Sequence, residues 1–125
     1  MTTTVLLSIK PQYVKLIFDG TKRFEYRRLL PLKPFDRIVI YETSPTKQIV
    51  GECDVDFIIS DIPTNVWTKT EKDGAATVEH FEKYFKGKTY ANAIHLANVK
   101  KYDVPKSLSD YGIKRAPQSF CYLEK

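Results

Sequence analysis

The residues best suited to chemistry lie close together between Gly20 and Arg28, where the sequence reads Gly-Thr-Lys-Arg-Phe-Glu-Tyr-Arg-Arg. A guanidinium binds a phosphate or carboxylate with two parallel hydrogen bonds, so Arg27 or Arg28 can hold an anionic ligand. Lys22 supplies a point charge, or a base or nucleophile where burial lowers its pKa. Glu25 can accept a hydrogen bond from the exocyclic amine of a nucleobase, or carry a proton. The cluster predicts either a ligand site or a row of surface ion pairs that needs no ligand.

A strand is predicted over 22–29, because apolar and charged residues alternate there. Alternation places Glu25 and Arg27 on one face, about 6 to 7 Å apart, close enough for an ion pair or for contact with one ligand. Lys22 falls on the opposite face by strict counting. At the first residue of the strand, directly after the turn at Gly20, the twist is unconstrained, so Lys22 can still point into the same cleft.

The positive charge of the chain is concentrated in its first third. The chain carries a net charge of +5, and between Lys10 and Arg37 eight Lys and Arg residues stand against three Asp and Glu residues. This segment alone therefore carries +5, and the remainder balances. A localised cationic region attracts phosphate-bearing partners, so nucleic acid or a nucleotide is the expected partner class, with a solvated basic face as the alternative.

Apolar periodicity and turn residues predict short strands and helices around this cluster. Strands are predicted over 4–9, 22–29, 37–42, 48–59, 90–101 and 119–123, and helices from Pro11 to the turn at Gly20, over 63–70, over 77–86 and briefly over 107–111. Pro105 is expected in a loop. Strands flanked by isolated helices, without strict βαβ alternation, indicate a mixed α+β fold around a curved sheet or open β-barrel. Ligands usually enter such a barrel at a mouth that a helix covers only in part.

Length and composition limit the function classes. At 125 residues and 42% hydrophobic content, one domain over 1–125 is expected, and no apolar run is long enough for a membrane span or signal peptide. Cys53 and Cys121 stand far apart, so the expected location is the reducing cytoplasm. Together with His80 and His95 they lack the close paired spacing of structural zinc sites. Neither a metal nor a cofactor is expected.

Several segments of the chain resemble the ASCH domain family, named for activating signal cointegrator homology. They are Leu7–Pro11, the GxKxxExR motif over Gly20–Arg27, Tyr41–Pro45 followed by Val50-Gly51-Glu52, and Ala116–Phe120. The resemblance implies a PUA-like open β-barrel of about five or six strands with flanking helices, a fold shared with RNA-binding modules. It also implies that the motif lines a cleft beside the first helix that binds RNA or a nucleotide-like ligand.

The resemblance brings enzymatic alternatives with it. Some small relatives hydrolyse an N4-acetylated cytidine nucleoside, and others have been proposed as ribonucleases. The amidohydrolase motif reads GxKxxTxR, whereas Glu25 occupies the Thr position here, and a carboxylate cannot replace a neutral hydroxyl nucleophile beside a lysine. The leading hypothesis is an RNA- or nucleotide-binding module with a possible regulatory role. The alternatives are a small hydrolase or ribonuclease that uses Lys22 and Glu25, and a protein-interaction adaptor with an exposed apolar patch.

Further residues are candidates for the same cleft. Tyr41 can stack on a base or pack in the sheet, and Glu79 can pair with Lys22 or face solvent. The other candidate ligand-binding residues lie at the ends of strands and at the entry to the first helix, and they are Ser8, Lys10, Ser44, Gln118 and Ser119.

Overall fold

A computed structural model describes residues 3–123 of the chain, in which strands and helices are interspersed. The elements are β1 (Thr4–Ile9), α1 (Pro11–Phe18), β2 (Phe24–Arg27), β3 (Arg37–Glu42), β4 (Gln48–Asp61), α2 (Pro63–Thr70), α3 (Val78–Tyr84), β5 (Ala91–Lys106) and β6 (Phe120–Leu123), with a short 3₁₀-helix at Leu108–Tyr111. None of the described helices is long and apolar enough to cross a membrane.

The six described strands form one curled sheet in the order β2-β5-β4-β3-β1-β6. β1 and β3 are parallel, and the other neighbours are antiparallel. The sheet is an open half-barrel with β2 and β6 at its two edges, and the predicted α+β open barrel is confirmed. The long β4–β5 pair carries α2 and α3 in its connection.

Strand alternation divides the apolar side chains between the two faces of the sheet. In β3, Ile38 and Ile40 join the main core, which also contains Val14 and Ile17 of α1. The intervening residues of β3 pack in a separate cluster on the other face. A further cluster lies under α2 and α3, where Phe81 and neighbouring aromatic residues pack. α1 is thereby fixed against the sheet at the place where the chain enters β2.

β2 is shorter than the predicted strand because contacts distant in sequence set its limits. The backbone N–H groups of Arg23 and Phe24 donate to the carbonyl of Asp73, in the loop between α2 and α3, and not to a neighbouring strand. After Arg27 the chain bends away from β5. Only Phe24–Arg27 pair with β5.

The expectation of a loop at Pro105 is wrong. β5 continues through Pro105 to Lys106, which pairs with Ile49 of β4. β2 pairs with β5 only between Asn92 and His95, so the far end of β5 has a neighbour on one side. Proline is tolerated in such a position because its missing N–H is not needed for a second ladder.

Candidate functional site

A cleft of about 530 Å³ opens between α1, β2, α3 and the segment that leads into β6. Its walls bring together residues that are far apart in the sequence. Eight of the ten residues expected to bind ligand line it, namely Ser8, Lys10, Lys22, Glu25, Arg27, Arg28, Gln118 and Ser119.

Lys22 reaches the inner part of the cleft although it precedes β2. Its backbone N–H donates to the carbonyl of Leu16 at the end of α1, which fixes the turn after the helix. Its side chain is 4% exposed, and Nζ donates to the carbonyl of Gly74 at 2.8 Å. Nζ also lies 4.9 Å from the ring centre of Tyr26 and 5.4 Å from that of Tyr13, a cation–π arrangement. The ammonium group therefore has two aromatic neighbours and one carbonyl partner.

Burial affects the protonation of the Lys22 amine. Desolvation lowers its pKa from the ordinary value of 10.5, Glu25 opposes this shift, and Arg27 adds to it. A lowered pKa increases the fraction of neutral amine near physiological pH. The neutral amine can accept a proton or attack an electrophile, whereas the protonated form can only donate.

Gly74 allows the loop between α2 and α3 to approach the cleft closely. A Cβ at this position would lie 2.0 Å from the hydroxyl oxygen of Tyr26, so no side chain fits there without moving that ring. The Tyr26 hydroxyl is fixed in turn, because it lies 2.6 Å from Oγ1 of Thr70 in α2. Helix α2 thus fixes the Tyr26 ring beside Lys22, and the loop between α2 and α3 supplies the carbonyl that accepts from Nζ.

Arg27 connects β2, at one edge of the open barrel, with β1 and the segment before β6 at the other. Most of its N–H groups donate to partners within the protein. Its Nε donates to Oε2 of Glu25 at 2.9 Å, in an ion pair whose side chains are 10% and 8% exposed. Nη1 donates to the carbonyl and hydroxyl oxygens of Ser119, and Nη2 donates to the carbonyl of Ser8 at 2.9 Å. The guanidinium joins β2 to β1 and to the segment before β6. The bidentate ligand contact expected of Arg27 or Arg28 stays a prediction, and most N–H groups of Arg27 already have partners within the protein.

The exposed cations lie around the opening of the cleft. Lys10, Arg28 and Lys88 are exposed and line it, and the guanidinium carbon of Arg28 lies 4.8 Å from the ring centre of Tyr84. With Lys22 and Arg27, five cationic side chains line the cleft against the single carboxylate of Glu25. The field in the cleft is therefore positive.

Sequence reasoning missed two cleft residues that contact each other. The hydroxyl of Tyr13 in α1 lies 3.1 Å from Nε2 of His80 in α3, and both residues line the cleft. Neither residue was among the residues expected to bind ligand. The available signal was the i, i+4 spacing of His80 and Tyr84, which places both beside the apolar stripe of α3. Glu79, for which the sequence allowed either a pair with Lys22 or a solvent-facing position, is exposed and does not line the cleft.

Two of the expected ligand residues lie outside the cleft. Tyr41 is 5% exposed and packs in the cluster with Leu6, Val39 and Ile49, because alternation in β3 turns it away from the main core. It would have to leave that cluster to stack on a base. Ser44 is exposed in the turn between β3 and β4 and does not line the cleft. Ser8 contributes its carbonyl to Arg27, while its hydroxyl donates to the carbonyl of Pro117 at 2.6 Å.

The residues weighed for a metal site are dispersed. Within 3–123, no three His, Cys, Asp or Glu side chains are grouped closely enough to hold a metal ion. Cys53 is buried, and desolvation raises the pKa of its thiol to about 12. His95 contacts Asp56 at 3.0 Å on the outer side of the β4–β5 pair.

The sequence and the fold are similar to those of ASCH domain proteins. The ASCH domain model matches residues 7–106. An ASCH domain-containing ribonuclease of Zymomonas mobilis is 29% identical over 125 residues, covering 96% of this chain and 84% of that protein. The crystal structure of ASCH from Zymomonas mobilis has a TM-score of 0.88 and 27% identity, covering 98% of this chain and 88% of that one.

A match of another kind is the large ribosomal subunit protein uL22 of Ureaplasma parvum, which is 31% identical over 124 residues. The match covers 98% of this chain, but the chain spans only 40% of that protein's length. The ASCH domain model covers most of the present chain, from the second half of β1 to the end of β5, and includes Lys22. The chain belongs to the ASCH domain family.

Proposed function

We propose that the chain is a cytoplasmic RNA- or nucleotide-binding module, with residues 1–125 acting as one domain and the cleft around Lys22 as its binding site. The observation that carries this proposal is the excess of cations in one concave place. Five cationic side chains surround one carboxylate there, while the net charge of the whole chain is +5. Phosphate groups are the anions that such a field concentrates most strongly.

The dimensions of the cleft favour a single nucleotide unit over a duplex. A volume of about 530 Å³ falls in the range of pockets that enclose small ligands. Tyr13, Tyr26 and Tyr84 contribute to its walls, and a base that has left its stack packs on such rings. A base pair inside a helix cannot enter such a space. The ligand is therefore a free nucleotide or an unpaired segment of RNA.

The relatives support an RNA-related role. The protein of Zymomonas mobilis is named a ribonuclease, and it shares most of its length with this chain. The Ureaplasma protein is named a ribosomal protein, although the shared part is a minor fraction of it. We extend these names to the present chain only as support for RNA as the ligand class.

The proposal is tested by measuring the affinity for a fluorescein-labelled single-stranded RNA over a series of salt concentrations. Three exposed cations line the cleft, so the slope of log K against log salt is expected near −2, at about 0.7 per phosphate neutralised. Arg28→Ala is expected to weaken binding about three- to tenfold at low salt and to make the slope shallower by about 0.7.

Lys101→Ala is the matched control, because it removes one exposed cation from β5 outside the cleft. Its affinity is expected to stay within about twofold of the wild type. Equal losses in the two variants would show that overall charge rather than the cleft binds RNA. Absence of binding to RNA and to nucleotides would overturn the proposal.

Hydrolysis is a second candidate because Lys22 is a buried amine with a lowered pKa. In RNA cleavage the neutral amine would take the proton of a 2′-hydroxyl, whose oxygen then attacks the adjacent phosphorus. The bond from phosphorus to the 5′-oxygen breaks, and that oxygen takes up a proton. That proton can come from Lys22, which has become an ammonium by taking the 2′-hydroxyl proton, while Glu25, a carboxylate paired with Arg27, is placed to accept a proton and pass it on. Hydrolysis of N4-acetylcytidine would use Lys22 to activate water against the amide.

Turnover is tested by incubating wild type and Lys22→Met with labelled RNA and with N4-acetylcytidine. The enzyme hypothesis expects product with one substrate and a loss of at least about a hundredfold in the variant. Circular dichroism and RNA affinity of the variant distinguish lost chemistry from lost folding. Equal product formation by both proteins would show that Lys22 is not the catalytic group, and absence of product from both would leave binding without catalysis.

A further inference from the structure

The loop between α2 and α3 has a strained backbone next to the carbonyl that binds Lys22. Ala75 has a φ of +54°, in the left-handed region that is unfavourable for a residue with a Cβ. The carbonyl of Gly74, the residue before it, accepts from Nζ of Lys22 at 2.8 Å. Because a peptide group is planar, the torsions on its two sides set the direction of this carbonyl. The strain and the contact with Lys22 therefore belong to one peptide group.

The loop is anchored on both sides of this peptide group. On one side, the carbonyl of Asp73 accepts from the backbone at the start of β2. On the other side, the side chain of Thr77 caps α3. Within residues 3–123, the N–H of Ala75 donates to no backbone carbonyl. The peptide group between Gly74 and Ala75 can therefore rotate without loss of a backbone hydrogen bond at Ala75 and without release of either anchor.

A rotation of this peptide group by half a turn relieves the strain. It moves φ of Ala75 into the extended region, which any residue adopts. Glycine at position 74 permits the accompanying rotation because it has no Cβ, and a Cβ there would also meet the hydroxyl of Tyr26. The rotated peptide group directs the N–H of Ala75 toward Nζ of Lys22, in place of the carbonyl. The preferred orientation thus depends on whether Nζ needs an acceptor or a donor.

We infer that the peptide group between Gly74 and Ala75 positions Lys22 and rotates with the charge of its amine. The ammonium donates to the carbonyl in a charge-assisted hydrogen bond, roughly twice as strong as a neutral one, and this bond offsets the strain at Ala75. The neutral amine accepts the N–H of Ala75 through its lone pair, and the strain is released. The inference rests on the proposed function, in which Lys22 belongs to the binding site, and it adds control of the charge of that site by the loop.

The charged and titratable groups around Lys22 come from each element that packs against it. Besides the exposed cations at the opening of the cleft, they are Tyr13 of α1, Glu25, Tyr26 and Arg27 of β2, Asp73 of the loop and His80 of α3. Substitutions at Ala75 leave all of them in place. A change in the pKa of Lys22 in such a variant therefore reports the orientation of the peptide group.

The inference is tested by measuring the pKa of Lys22 from the carbon-13 chemical shift of its Cε, in protein labelled at lysine. Loss of the signal in Lys22→Met identifies it. Ala75→Gly removes the strain, so the carbonyl stays directed at Nζ and the pKa is expected to rise by about half a unit to one unit. Ala75→Val makes a positive φ more unfavourable, so the pKa is expected to fall by a similar amount.

Lys47→Gly is the control, since it relieves a φ of +53° in the exposed turn between β3 and β4, outside the cleft. The pKa of Lys22 is expected to be unchanged in this variant. If Ala75→Val does not fold, Ala75→Gly decides alone, because glycine adopts a positive φ without strain. A gain in stability of Ala75→Gly without a rise in the pKa of Lys22 would overturn the inference, as would shifts of the same sign in both Ala75 variants. Absence of RNA binding by the wild type would overturn the proposed function, and the comparison of pKa values would still decide on the inference.

Discussion

Two arginines of this sheet form ion pairs with carboxylates, but one ion pair is buried and the other is partly exposed. Arg27 on β2 pairs with Glu25, and the two side chains are 10% and 8% exposed. Arg37 on β3 pairs with Glu52 and lies 3.7 Å from Asp54, both on β4, with side chains that are 43%, 26% and 43% exposed. The first pair lies in a concave cleft, and the second lies on an outer face of the sheet.

The difference shows why ion pairs alone do not identify a site. Around Arg37 the carboxylates are satisfied locally, since Tyr102 donates to Glu52 at 2.7 Å and Asn98 donates to Asp54 at 2.8 Å. One cation faces two anions there. In the cleft the cations are in excess, and Lys22 is kept beside aromatic rings instead of a carboxylate partner of its own. Excess charge in a concave place indicates ligand binding, whereas balanced charge on an outer face indicates cross-strand pairing.

The largest difference between the two arginines is expected in stability. Arg27→Met leaves the carboxylate of Glu25 buried without its cation and removes the contacts to Ser119 and Ser8, so the free energy of unfolding is expected to fall by about 3 to 5 kcal/mol. Arg37→Met leaves half-exposed carboxylates that water solvates, and a loss of about 1 kcal/mol or less is expected. Urea unfolding monitored by circular dichroism measures both.

A double variant separates the lost ion pair from lost packing. In Arg27→Met with Glu25→Gln, no unpaired charge remains in the cleft, so part of the stability lost in Arg27→Met is expected to return. Similar losses for Arg27→Met and Arg37→Met would mean that burial does not distinguish the two pairs, and the comparison would fail.

The sequence predicted elements well where neighbouring residues decide them. β1, β3 and α2 have the predicted limits, because alternation, proline and turn residues are local signals. The concentration of charge between Lys10 and Arg37 also indicated the cleft, since four of its eight cations line it. The remaining four include Arg37, whose cross-strand partners no local pattern identifies.

The features that sequence did not predict depend on partners far away in the chain. Arg27 is separated from Ser119 by 92 positions, and Tyr13 from His80 by 67. At the start of β2, the carbonyl of Asp73 accepts hydrogen bonds from Phe24 and from Arg23, the residue before the strand. Curvature of the sheet and the position of the α2–α3 loop create these contacts. Residue types alone therefore suggested Arg27 as an anion-binding group, although the fold uses most of its donors.

An intermediate effect is expected in the pH dependence of stability, which tests whether Lys22 differs from an ordinary surface lysine. Its pKa is lowered in the folded state, so the unfolded chain binds more protons than the folded one between that pKa and 10.5. Stability therefore rises with pH in this window, by at most about 1.4 kcal/mol per pH unit. Below the folded pKa the full penalty for burying the ammonium remains.

The measurement compares wild type with Lys22→Met by urea unfolding from pH 7 to pH 10. The difference in free energy of unfolding, wild type minus variant, is expected to increase as the pH rises through the window. Lys101→Met, at an exposed position of β5, is the control and is expected to show no such trend. A flat difference for Lys22→Met would show that burial does not favour the neutral amine.

The smallest effect is expected from Glu52→Gln, which changes the net charge by one unit outside the cleft. The amide keeps the shape of the side chain and can still accept from Tyr102, while the ion pair with Arg37 loses its charge. A stability loss of about 1 kcal/mol or less is expected, because both partners are partly exposed.

RNA affinity of the same variant at 0.15 M salt is expected to stay within about twofold of the wild type, since exposed charges farther apart than about 8 Å are largely screened. An increase well beyond twofold, measured by fluorescence anisotropy, would mean that net charge governs RNA binding. A charge on the outer face would then affect RNA binding as much as a charge in the cleft.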